Sequence, residues 1–320
     1  MSLLTFIPSL IGGFIEGISL SNILFGITLS QFYVYAQNWD RDPKWLKYLA
    51  TVIILLETGF TVVSQRAQYF YSVFSITNPL LLAEIDWSIP AALILGVITE
   101  VTVQGFYMYR MWIFSRNILL LVGMTALLIS WDILWIKCIV DTLTAATWIT
   151  LFEGRNFKLS VTLSVSLVIC SDVLIAATMV YLLRRKQSQC IRTRGILGWL
   201  VLYFVSTGAA LVALAGSVLI CFLVSPSTLL WAGMTTLYVR SVSNCFFGAL
   251  NARQLLRSKQ GQVITFGGGF VQDSTTPASV ELGQVVRVQV DNNMRSITGS
   301  NTTLNSRNHN IKPIGTLNIA

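Results

Sequence analysis

The chain has 320 residues, of which 54% are hydrophobic and only 11% charged, against ~25% charged in ordinary soluble domains, which excludes the soluble globular class. Its net charge of +8 does not point to nucleic acid, because the basic residues sit in short segments between apolar runs, where they orient a protein in a membrane. The five cysteines, Cys138, Cys170, Cys190, Cys221 and Cys245, include no pair placed for an extracellular disulfide and none with zinc-site spacing.

The first apolar run, Pro8–Tyr35, is too long for a signal peptide and has no basic residue before Arg41, so it reads as a retained membrane helix. Six more runs follow: Leu46–Gln65, Trp87–Phe114, Ile118–Val140, Leu159–Leu183, Ile196–Val224 and Thr228–Leu250. Each offers the ~20 residues that a helix needs to cross ~30 Å of hydrocarbon. Backbone amides inside a bilayer must bond within the protein, and no run alternates with the period of a barrel strand, so helices are expected. The fold class is therefore an all-α membrane protein, a seven-transmembrane-helix bundle over residues 1–257. From about Ser258 to Ala320 the composition turns to Gly, Ser, Thr and Asn, which reads as a disordered cytosolic tail. Within it, Val285–Val290 alternates like a strand, and Asn301-Thr302-Thr303 matches a glycosylation acceptor that a cytosolic location silences.

Charge in the connecting segments sets the orientation. Arg41, Lys44, Lys47, Arg110, Arg116, Arg184, Arg185, Lys186, Arg192, Arg194, Arg253, Arg257 and Lys259 all fall on one side. The other side has Arg66, Arg155, Lys158 and Lys137 near a helix end. The positive-inside bias then puts the N-terminus outside or in the lumen, of a plasma membrane or an endomembrane, and the C-terminus in the cytosol. Trp39, Trp45, Trp87, Trp112, Trp148 and Trp199 lie near run boundaries and read as interfacial anchors, not ligand-stacking groups. The cluster Arg184, Arg185, Lys186, Arg192 and Arg194 is expected to face anionic lipid or a cytosolic partner, together with the tail. Cys190 in the same loop is open to palmitoylation, although an unmodified thiol is the simpler reading.

Charges at the middle of the runs are the candidate site. Glu57, Glu100, Asp172 and Arg240 lie within about two residues of their run midpoints, in a band a few ångströms deep at ~1.5 Å per residue. Each costs ~2.5–3.5 kcal/mol on insertion scales unless it faces the protein interior. Helical spacing predicts inward stripes: Glu57, Thr61, Ser64 and Gln65; Gly96, Glu100, Gln104 and Tyr107; Thr236, Arg240, Ser243, Asn244 and Asn251. Asp172 has only Ser171 beside it. Three acids for one arginine leave at least one acid without a cation, free to bind a proton, a cation or an amine. Arg240 is expected to pair with Glu57 or Glu100. The ligand-binding or polar-network candidates are thus Glu57, Glu100, Gln104, Asp172, Arg240 and Asn244; the plainer alternative is that they only tie helices together.

Enzymatic classes lack their residues. The single histidine, His309, lies in the tail, which excludes multi-histidine zinc hydrolases, bis-histidine haem proteins and Ser–His proteases. Neither Asp132 nor Asp172 stands in a Gly-x-Gly-Asp context, the seventh run has no lysine for a Schiff base, and no glycine-rich phosphate loop is present. No catalytic residue, metal or cofactor is expected. The third run ends Tyr109-Arg110-Met111-Trp112 without a preceding acid, and the seventh reads Asn244-Cys245-Phe246-Phe247 where G-protein-coupled receptors carry Asn-Pro-x-x-Tyr. Any likeness to that class is one of topology only.

Several short motifs in order carry a further resemblance: Leu24-Phe25-Gly26-Ile27 with Gln31, Tyr33 and Tyr35; Asp42, Leu46 and Lys47; Gln104-Gly105-Phe106-Tyr107 with Arg110 and Trp112; Thr207-Gly208; and Asn244 through Leu250-Asn251-Ala252-Arg253. In these the chain resembles a fungal family of multi-pass membrane proteins of unknown function, over about residues 10–257. It departs from that family in lacking a histidine near Glu57 and Phe60, and in having Cys245 where a serine is usual. The resemblance implies seven membrane helices and brings no activity. The functional expectation is a non-enzymatic, receptor-like sensor of a small apolar or amphipathic ligand. A proton- or ion-coupled transporter using the midplane carboxylates and a purely structural membrane protein are the alternatives. No internal repeat is evident, which tilts the reading away from a carrier.

Overall fold

The computed structural model describes residues 3–74, 78–189, 194–226 and 228–265, with side chains described over 11–40, 42–74, 78, 81–185, 198, 201–226 and 228–252. Among these residues there is no strand, only a lone bridge between Glu84 and Thr147. Eight α-helices follow one another: α1 Leu3–Gln37, α2 Lys44–Tyr69, α3 Ser88–Ser115, α4 Ile118–Thr144, the short α5 Trp148–Glu153, α6 Arg155–Gln189, α7 Arg194–Val224 and α8 Leu230–Thr265. The expected disordered tail begins later than read, because α8 continues through 258–265; its remainder, the strand-like Val285–Val290 and Cys190 lie outside the described residues, as do the side chains of Lys186, Arg192 and Arg194; Arg184 and Arg185 are exposed.

Local chemistry fixes the ends. Between α3 and α4 the chain turns on two residues. Arg116 adopts φ 54° and closes α3 by donating its N–H to Trp112 O, and the Asn117 side chain caps α4 by accepting from Leu119 N at 3.0 Å. Thr147 and Thr150 form a reciprocal capping box on α5. At its far end α2 relaxes into a π-turn, Phe70–Phe74, which sets Tyr71 inward. The Tyr71 hydroxyl donates to Glu84 O at 2.9 Å and accepts from Asp86 N at 3.3 Å and Trp148 Nε1 at 3.2 Å. Arg66 lies 3.8 Å from Asp86. These contacts clasp one end of the bundle, the Asp86 end; the opposite end carries Trp39 and the Trp45–Tyr109 ring contact.

The long helices pack in a closed circuit, α1 on α2, α2 on α3, α3 on α4, α4 on α6, α6 on α7, α7 on α8 and α8 back on α1. Six are long and apolar enough to cross a membrane: Ile11–Gln37, Lys44–Phe74, Ser88–Ser115, Ile118–Thr144, Arg155–Arg185 and Val201–Val224. The chain is thus a membrane-embedded, all-helical protein. The seventh run falls in α8, which is long but less apolar because Arg240, Ser243, Asn244 and two threonines interrupt it. The reason is positional. Besides closing the circuit, α8 also touches α2 and α3, and between Trp231 and Leu250 it has no exposed residue. A helix wrapped by protein on all faces does not need a lipid-like surface.

The close wrap depends on small residues. Where α1 crosses α8, a Cβ on Gly17 would lie 2.6 Å from the Gly233 carbonyl carbon and oxygen, and one on Gly233 would collide with Gly13 O. Backbones meet there directly, as in small-residue crossings of membrane helices.

Candidate functional site

The four midplane charges separate into two sites on opposite faces of α8. Two residues of a helix turn through ~200°, so Arg240 and Tyr238 point away from each other. Arg240 turns toward α1 and α2. Its Nη1 donates to the Glu57 carboxylate Oε2 and, at 2.9 Å, to the Glu57 carbonyl; Nη2 donates to Thr61 Oγ1 at 2.6 Å. The second carboxylate oxygen accepts from Ser243 Oγ at 2.6 Å. Both charged side chains are 0% exposed. Phe25 and Phe60 cover the guanidinium from 4.9 and 4.7 Å, so the cation meets aromatic faces where the ion pair leaves it open. Asn244, one turn on, ties α8 to α1 by donating to Leu24 O at 3.1 Å, and Asn251 repeats the tie to Gln31 O at 2.9 Å.

On the other face stands a cluster with no cation. The Tyr238 hydroxyl lies 3.0 Å from Glu100 Oε1 and 2.9 Å from Asp172 Oδ2, and Gln104 Nε2 donates to the same Glu100 oxygen at 3.4 Å. Tyr238, Glu100, Gln104 and Asp172 are all buried. The structure thus unites Glu57 with Arg240 and Glu100 with Gln104 and Asp172, and Arg240 chooses Glu57 over Glu100. Among the described residues no group of histidine, cysteine or acid side chains is arranged to hold a metal.

Three readings from sequence change. Asp172 is not isolated: Tyr238 reaches it from another helix, a contact that periodicity on its own helix cannot reveal. Gln65, placed in the inward stripe of α2, is exposed, because eight residues along a straight helix overshoot two turns and carry the side chain off the face. Trp148, read as an interfacial anchor, is 4% exposed and stacks on Phe152 at 5.7 Å; Trp45 and Trp87 do stay exposed.

Trp148 instead forms part of a cavity at the Asp86 end, whose room for water centres is about 60 Å³. Phe14, Phe60, Trp135, Phe157 and Trp231 complete its aromatic lining, with Ser64, Ala92 and Thr235 among the smaller walls. Its side chains come from α1 to α6 and α8. Two polar atoms on its walls, Ser64 Oγ and Trp231 Nε1, are buried without a protein partner. At ~10–15 Å³ per water centre the space holds roughly five waters or one ring-sized apolar group. Sequence reasoning missed this chamber because its aromatic residues are spread over the chain and read singly as core or anchors. Phe60 belongs to both places: it lines the chamber and its ring covers Arg240.

No curated protein and no solved structure matches the chain. A family of unknown function, DUF6534, matches residues 168–255, a stretch that contains Asp172, Tyr238, Arg240, Ser243 and Asn244 but neither Glu57 nor Glu100. Over the last part of α6, all of α7 and the buried part of α8, the chain is similar to that family of unknown function.

Proposed function

We propose that this protein is a receptor-like sensor, without catalytic activity, that takes a small apolar or amphipathic ligand into the aromatic chamber. In this reading α8 is the seventh crossing, the N-terminus lies outside or in a lumen, and the loop 184–196 and the tail meet a cytosolic partner. The seven-crossing family of fungal membrane proteins resembled by the sequence fits that topology. A reporter fused to either terminus, probed with external protease, tests it.

The observation that carries the reading is the chemistry of the chamber. Six aromatic side chains surround it, and the polar atoms buried there without a protein partner are a hydroxyl and an indole N–H. Such a wall rejects ions and favours a small apolar body carrying one hydrogen-bond acceptor. The same wall reaches the charged centre through Phe60, so filling the chamber presses on the ring that covers Arg240. A pocket whose occupancy bears on a buried ion pair between α2 and α8 suits a sensor better than a passive scaffold.

Purified protein in nanodiscs, screened with small apolar molecules by tryptophan fluorescence and thermal stability, tests this directly. Binding is expected to quench the chamber tryptophans and raise the melting temperature. Ala92→Phe, which fills the chamber, is expected to abolish both responses. A ligand that binds Ala92→Phe as well as the native protein, or a screen in which no apolar acceptor shifts either signal, would sink the proposal.

A further inference from the structure

Two smaller cavities flank Tyr238. One, about 30 Å³, is lined by Glu100, Trp131, Ser164 and Thr235, and shares Trp135, Thr235 and Val239 with the aromatic chamber. The other, about 40 Å³, is lined by Asp172, Gln104, Tyr107, Thr207 and Cys245. Tyr238 lines both. Each has room for about two to four water centres at ~10–15 Å³ apiece. Trp131 Nε1, buried on the wall shared with Glu100, has no protein partner, so it is a donor available to a water there.

These spaces follow one another through the bundle. Along α3 their walls run from Ile89 through Glu100 to Tyr107; along α6 from Phe157 through Ser164 to Asp172 and Ala176; along α8 from Trp231 through Thr235 to Cys245. The order is the same on all three helices, so the cavities descend from the Asp86 end past the middle. The Tyr238 hydroxyl links the last two, with an acid on either side, and the Gln104 amide touches Glu100 beside it.

Hydrogen counting adds the chemistry. A phenol has one O–H to donate, yet both carboxyl oxygens stand at hydrogen-bond distance from it. For each contact to be a full two-centre hydrogen bond, one of the two acids carries a proton and donates it to the phenol oxygen. Among the described residues no cation acts on Glu100 or Asp172. Facing groups are Asp132 on α4, Tyr107 on α3, Tyr203 on α7 and Cys245 on α8. Arg110 acts on Tyr107 from the same helix, and Arg240 is held by Glu57 on the opposite face of α8.

We propose that Glu100, Tyr238 and Asp172 form a relay through which protons cross the middle of the bundle. With the proton on Glu100 and Asp172 ionised, the phenol hydrogen moves to Asp172 Oδ2 as the Glu100 hydrogen moves to the phenol oxygen. One O–H bond breaks and one forms at the phenol, which is neutral before and after, and the net result is one proton moved from Glu100 to Asp172. The relay resets once that proton has left into the lower cavity, the phenol hydrogen has rotated back toward Asp172, and Glu100 has taken up a new proton from the upper cavity. The transfer between Glu100 and Asp172 itself needs no ligand in the aromatic chamber.

The full chain in liposomes, with an entrapped pH dye and a potassium-diffusion potential, tests it. Proton flux above that of protein-free liposomes is expected, falling to the protein-free level in Tyr238→Phe, which removes the hydroxyl and keeps the ring. Glu100→Gln and Asp172→Asn should lose the flux equally, and they carry the comparison if Tyr238→Phe does not assemble. Replacing sodium with a large organic cation should leave the flux unchanged. A native protein no leakier than empty liposomes, flux retained by these variants, or flux that requires sodium would each overturn the relay.

Discussion

Glu57 and Glu100 are the same residue type at the same depth, both buried, each on a helix that packs against α8. Their partners differ entirely. Glu57 meets a guanidinium, a serine hydroxyl and, through that guanidinium, two aromatic faces; Glu100 meets a phenol and an amide, with a second acid beyond. The difference turns on α8, because Tyr238 and Arg240 project from opposite faces of one helix turn. On the Arg240 face, charge is compensated and the atoms are fixed in place by four hydrogen bonds and two aromatic rings. On the Tyr238 face, one hydroxyl serves two acids, and a hydrogen is left to choose between positions. The first arrangement holds helices together; the second can move a proton.

The sharpest way to break this contrast is to remove the cation. Arg240→Ala leaves the Glu57 carboxylate buried with only Ser243 for support, and loss of one member of a buried pair costs ~3–5 kcal/mol. A large fall in melting temperature in detergent, or failure to fold, is expected. Replacing both partners by apolar residues, Glu57→Leu with Arg240→Met, should recover much of the loss, since no uncompensated charge remains. If Arg240→Ala were as stable as Glu100→Gln, the two sites would not differ as described.

A second, smaller effect concerns α1, which touches the charged site and not the relay. Gly233→Ala puts a methyl against the Gly13 carbonyl at the α1–α8 crossing, and overpacking of this kind costs ~1–3 kcal/mol. Backing α1 away also lifts Phe25 off Arg240. Thermal stability should fall while proton flux persists, because Glu100, Tyr238 and Asp172 lie on α3, α8 and α6. Phe60→Leu should cost less again, ~0.5–2 kcal/mol for one lost cation–π face. It should also alter ligand response, since the same ring lines the chamber; unchanged ligand response in Phe60→Leu would uncouple chamber and ion pair.

The legible part of this arrangement was the part that depends on single helices. Run lengths and polar stripes are properties of one segment, so six of the spans and the inward position of Glu57, Glu100 and Arg240 could be read directly. The need of Arg240 for an acid followed from counting charges. Which acid it takes did not, because Glu57 and Glu100 have similar stripes and only the rotation of α8 decides between them. Tyr238 escaped notice for a chemical reason: its ring counts as apolar in any hydropathy pattern, and its one hydroxyl matters only when acids from two other helices converge on it. The aromatic chamber was hidden likewise, since no stretch of sequence contains more than a fragment of its wall.

The smallest expected change in stability is also the one that best separates the two sites. Tyr238→Phe removes two interhelical hydrogen-bond contacts but leaves ring packing intact, and hydrogen bonds between membrane helices average only ~0.6 kcal/mol. Because no cation is stranded, neither acid is left facing an unpaired charge, and each can satisfy itself as a neutral carboxyl or through a water in its own cavity. The melting temperature should therefore move little, far less than for Arg240→Ala, while proton flux disappears. A destabilisation by Tyr238→Phe as large as that of Arg240→Ala would mean that the phenol holds the bundle together as the ion pair does, and the division of α8 into a fixed face and a proton-moving face would fail.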